Sequence, residues 1–111
     1  MGSKFSVKKG DLLPKLRATL RDGRGSPLDL TTATGVTFRM RATAGGALKI
    51  NLAACSVIAP ATAGVVEYTW AGTDTDTVGD FDGEFIVTWP GGPQTVPASG
   101  YVTVSVGNNL A

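Results

Sequence analysis

A chain of 111 residues with 42% hydrophobic and 17% charged side chains is sized for one domain with its own core, and is too apolar to be a disordered segment. It has no histidine and a single cysteine, Cys55, which removes the commonest general base and transition-metal ligand and excludes an intrachain disulfide. The net charge of +1 lacks the strongly basic balance of a nucleic-acid-binding chain.

In chain order, Phe5 and Val7 alternate with Lys4, Ser6 and Lys8 as a first short strand. Gly10-Asp11 reads as a turn, and Pro14 stops any helix here. Leu16, Ala18 and Leu20 alternate with Lys15, Arg17, Thr19 and Arg21, the period-two pattern of a half-buried strand. "RDGRGSP" is a turn, and "LDLTTATG" a loop leading to the cleanest strand, with Val36, Phe38 and Met40 on one side and Thr37, Arg39 and Arg41 on the other. Ala47–Ile50 and Cys55–Ile58 are weaker strands. Val66, Tyr68 and Trp70 share a face, as do Phe81, Phe85, Val87 and Trp89, with Gly83 marking a bulge or a close backbone approach. "PGGP" turns the chain, Thr95-Val96 forms a short strand, and Val102, Val104 and Val106 line the last.

The pattern gives seven to nine short strands, Gly/Pro turns and no convincing helix, so an antiparallel β-sandwich or small barrel is expected. Its core should hold Val36, Phe38, Met40, Tyr68, Trp70, Phe81, Phe85, Val87 and Trp89, with Cys55 as a small buried hydrophobe. No linker divides the chain, so 1–111 reads as one domain, with 1–4 an N-terminal arm and 107–111 a short tail. No apolar run approaches a membrane span, and no signal peptide is expected.

Charge is partitioned along the chain. All ten Lys and Arg lie at or before Lys49; with Asp11, Asp22 and Asp29 the first part carries +7, and the second, from Asn51, carries −6. Lys15, Arg17, Arg39 and Arg41 should stand on solvent faces, and with Asp74 and Asp76 they are the candidate interaction residues. Such charges pair across strands, for example with Glu67, or between copies in an assembly. "GTDTDTVGDFDGEF" holds five of the nine acidic residues. Read as an EF-hand loop from Asp74 it fails at Val78 and Phe85, where ligands are required. A non-EF calcium site and a glycosidase carboxylate pair are weaker readings than a polar turn, with Asp82 and Glu84 on the solvent face of the next strand. No catalytic, cofactor-binding or metal-ligating residue is assigned, and no cofactor is expected.

"KKGDLLPKLRATLRDGRGSPLDLTTATGVTFRMR", followed by "GVVEYTWAGTDTDTVGDFDGEFIVTW" and "VPASGYVTVSV", resembles the small β-sandwich modules of tailed-bacteriophage virions, best known as the N-terminal domain of baseplate upper proteins. The resemblance spans Phe5 to Val106. It implies an immunoglobulin-like antiparallel sandwich and a non-enzymatic virion structural protein that docks on other virion proteins in symmetric multiple copies. Baseplate, tail, neck and capsid-surface positions are all open. It also implies that the acidic stretch is a sandwich corner, with Phe81 where the family commonly has Tyr, so that packing must hold the corner without a hydroxyl. A carbohydrate- or host-surface-binding module and, behind it, a small hydrolase are the alternatives.

Overall fold

The computed structural model describes residues 4–97 and 101–108. Among the described residues nine strands follow one another: β1 (Lys4–Lys8), β2 (Leu16–Thr19), β3 (Gly35–Ala42), β4 (Leu48–Ala54), β5 (Ser56–Val57), β6 (Val65–Tyr68), β7 (Gly79–Trp89), β8 (Gly92–Val96) and β9 (Val102–Gly107). The helical content among the described residues is one 3-10 turn at Ala61–Ala63. Of the expected arm and tail, Lys4 and Gly107 belong to strands, and 1–3 and 109–111 lie outside the described residues.

One sheet runs β1-β9-β7-β3-β4, with β8 also on β7; the other runs β2-β6-β5. Placing β2, β6 and β5 opposite β3, β7 and β9 is the strand partition of an immunoglobulin-type sandwich. The pairing is antiparallel except between β1 and β9, which run parallel with Lys4 opposite Thr103 and Lys8 opposite Gly107. β7 has β3 along one side; on the other side its first half pairs with β9 and its second half with β8. At Cys55 the chain crosses from β4 in the larger sheet to β5 in the smaller, anchored by the Cys55 N–H on the Val36 carbonyl at 2.9 Å.

The core forms as the alternation predicts. Val36, Phe38, Met40, Tyr68, Trp70, Phe81, Phe85 and Val87 are buried, joined by Leu16, Leu20, Val66, Val104 and Val106. Two expectations need correction. Trp89 is only partly buried, because its indole N–H reaches out of the sandwich to the Gln94 side chain at 2.8 Å. Cys55 is likewise only partly buried, since the chain there lies between sheets.

Aromatic rings tie the layers together. Phe38 of β3 lies 4.9 Å from Phe85 of β7 and 5.4 Å from Tyr68 of β6; Trp70 follows edge-on to Tyr68 at 5.5 Å, and Phe5 of β1 lies 5.9 Å from Trp70. Gly83 points inward between Phe81 and Phe85, and a Cβ there would lie 2.8 Å from the Phe38 ring. The ring occupies the space a side chain would need. The close-approach reading of Gly83 therefore holds, and the register with β3 runs through it without a bulge.

The register breaks fall in β4 instead, where β3 residues 38–41 oppose β4 residues 53–48 with two register shifts. Ile50 and Ala53 face the core three residues apart, and Leu52 between them has φ 54°, a left-handed conformation rare for a branched side chain.

Gly83→Ala should lower stability by about 1–3 kcal/mol through overpacking. Phe38→Ala should lower it by about 3–5 kcal/mol. Because one contact underlies both, Gly83→Ala combined with Phe38→Leu should cost less than the sum of the two single changes in denaturant unfolding.

Candidate functional site

The first half of the acidic stretch forms the loop between β6 and β7 and its second half opens β7; the side chains of Asp74, Thr75, Asp76 and Thr77 in the loop each make a hydrogen bond. The Asp74 carboxylate accepts the Tyr68 hydroxyl at 2.5 Å and the Ala71 N–H at 2.8 Å, while the Asp74 N–H donates to the Ala71 carbonyl at 2.8 Å. Asp74 thus closes a turn on itself and holds the end of β6 from outside. Tyr68 is buried, and its phenol is pushed well above the usual tyrosine range, first by burial and then by the Asp74 carboxylate.

The corner therefore does have a tyrosine hydroxyl. It comes from Tyr68 on β6, one strand earlier than the position Phe81 occupies, and Phe81 itself is held by packing at 4% exposure. Alternation along β6 placed Tyr68 inward, but nothing in the spacing said that its hydroxyl would reach Asp74.

Among the described residues Thr75 is the one fully buried polar residue, at 0% exposure. Its hydroxyl donates to the Asp11 carbonyl at 2.9 Å, and its own carbonyl accepts the Gly10 N–H at 2.9 Å. Nearby, the Trp70 indole N–H donates to the Pro14 carbonyl at 3.0 Å. These three bonds fasten the β1–β2 loop to the β6–β7 loop at one end of the sandwich. Leu12 and Leu13 on the first loop and Val78 on the second stay exposed, Leu13 at 68%.

Asp76 pairs with the Lys49 ammonium of β4, and this contact, with the Thr77 hydroxyl, holds its carboxyl below the usual range. Its contribution to stability is thus present above the ordinary carboxylate pKa and lost as pH falls below it.

The basic candidates lie beside carboxylates of the same chain. Arg17 is opposite Glu67 in register and bonds it at 3.0 Å, with Lys15 joining at 3.9 Å. Arg39 is opposite Glu84 and 3.1 Å from it. Arg41 is opposite Asp82, but Asp82 accepts the Thr43 hydroxyl at 3.0 Å, and Arg41 makes no ion pair among the described residues. The early basic and late acidic segments are thus interleaved on neighbouring strands. The cross-strand reading accounts for Lys15, Arg17 and Arg39; separate basic and acidic faces do not form where β3 meets β7. Exposed pairs of this kind are worth about 0–1 kcal/mol each.

No three acidic or cysteine side chains converge in metal-binding geometry among the described residues. One oxygen of each turn carboxylate is engaged: Asp74 Oδ2 by Tyr68 and Ala71, and Asp76 Oδ1 by Lys49 and Thr77. No protein-family model, curated protein or solved structure matches the chain.

Removing the Asp74 carboxylate leaves a buried hydroxyl and a backbone N–H without their acceptor. Asp74→Ala should cost about 1.5–3 kcal/mol, whereas millimolar calcium should leave the melting temperature of the parent protein unchanged. The alkaline side carries a second signature. Burial pushes the Cys55 thiol up to about 12 from 9.0, and the Tyr68 phenol rises from 10.0. Both groups ionise more readily in the unfolded chain, so the stability they contribute is full below pH 9 and falls as pH rises toward and beyond 12. In thermal melts across this range, Cys55→Ala should remove the part of the decline that begins near pH 9, and Tyr68→Phe the part that begins near pH 10.

Proposed function

We propose that the chain is a non-enzymatic structural β-sandwich of a tailed-phage virion, docking in multiple copies on other virion proteins. The observation that carries this reading is the use made of the acidic stretch, the most chemistry-like segment of the sequence. Asp74, Thr75 and Asp76 are each consumed in tying loops and strands together. That is the sandwich corner which the resemblance to virion modules implies.

Other segments quoted for the resemblance also form structural turns. Gly10-Asp11 is the turn after β1. The Asp22 carboxylate organises its turn by accepting the Arg24 and Ser26 N–H groups at 2.8 and 3.0 Å, and Asp29 does the same for Thr31 at 3.0 Å, just ahead of β3. These Asx turns lock the long β2–β3 connection without any ligand.

The docking surface best supported is the end where the two bonded loops expose Leu12, Leu13 and Val78. Apolar side chains held out on fastened loops lose little conformational freedom when covered.

Mass analysis and imaging of purified particles from the source of the coding sequence test the reading. The chain should be present at a fixed stoichiometry, and Leu13→Asp should lower its incorporation while leaving the melting temperature of the free protein unchanged. Finding the chain only in the soluble fraction of the lysate, absent from intact particles, would overturn it.

A further inference from the structure

The outer face of the larger sheet carries a hollow of about 320 Å³, at the small end of the size range of ligand sites. Its floor is the charge lattice of β3 and β7: Arg39, Arg41, Asp82 and Glu84. Its rim is Leu48 from β4 and Tyr101 just before β9, each 44% exposed.

We infer that this hollow is a binding site for a neutral sugar, a glycan terminus of monosaccharide size. Three features point to that class. First, the floor has two cations and two anions, so it offers no net charge to select an ion. Second, guanidinium groups only donate hydrogen bonds and carboxylates only accept them. Alternating the two over neighbouring strands suits a ligand whose every group can do both, and a ring of hydroxyls is such a ligand. The lattice is also held in place before binding: Arg39 Nε and Nη2 both lie 3.1 Å from Glu84 Oε1, and Asp82 is fixed by Thr43 at 3.0 Å. Third, Arg41 has donors unspent on any ion pair among the described residues, and the half-exposed Tyr101 ring offers an apolar face to the C–H side of a pyranose.

The hollow is lined by none of Leu12, Leu13 and Val78, so it does not depend on the docking reading. A virion module and a free-standing protein would both present it.

The test is a titration of the isotope-labelled protein with methyl glycosides of glucose, galactose, mannose and N-acetylglucosamine, followed by amide chemical shifts, with glutarate as a carboxylate probe. At least one glycoside should shift residues of β3, β7 and the start of β9, and leave the Thr75 loop unmoved. Tyr101→Ala and Arg41→Ala, each with an unchanged melting temperature, should weaken that binding by about tenfold. The inference is overturned if no glycoside shifts the hollow at high millimolar concentration. It is also overturned if the shifts survive both substitutions, or if glutarate binds there more tightly than every glycoside. Particle association is read in a separate experiment, so the two proposals fail independently.

Discussion

The sandwich depends on Phe38 lying over Gly83. Two neighbouring strands of one sheet meet at a position where only a missing side chain admits an aromatic ring, and that ring then reaches Tyr68 of the opposite sheet. An aromatic ring buried at 0% exposure contributes both apolar area and edge-and-face contacts. From Phe38 the contacts continue through Tyr68 and Trp70 to Phe5 in one direction and to Phe85 in the other. This chain of rings links β1, β3, β6 and β7 across the two sheets.

The corner built on Asp74 is an extension of the same constraint. Once Tyr68 is drawn inward against Phe38, its hydroxyl is left at the edge of the core and needs an acceptor. Asp74 supplies it within a turn that the same carboxylate closes. Thr75, next in sequence, carries the order across to the β1–β2 loop. Aromatic packing and polar closure are therefore consecutive parts of one arrangement, in which Asp74 and Thr75 serve the fold directly.

Most of the strands were legible because period-two alternation reports which face a side chain takes. β3 and β7 keep strict alternation, so Val36, Phe38, Met40, Phe81, Phe85 and Val87 were legible as core, while Val104 and Val106 of β9 were read only as one face of a strand. β4 was harder to see because its two bulges put Ile50 and Ala53 inward at a spacing of three, which no simple period captures. Alternation says nothing of which strands are neighbours. The early basic and late acidic segments looked separable along the chain, yet sheet order places β3 against β7, so that Arg39 meets Glu84. The hollow with Tyr101 was illegible for the same reason: its lining comes from three strands and a loop brought together only by that order.

The parallel pairing of β1 with β9 has a mechanical consequence. Two adjacent strands that run the same way put the start of β1 and the end of β9 at opposite poles of their five-position pairing. Tension applied between those poles pulls β1 and β9 past each other along their length. It loads the five matched positions from Lys4–Thr103 to Lys8–Gly107 together, and does not peel them open one at a time. Strands β1 and β9 thus meet such a load in shear.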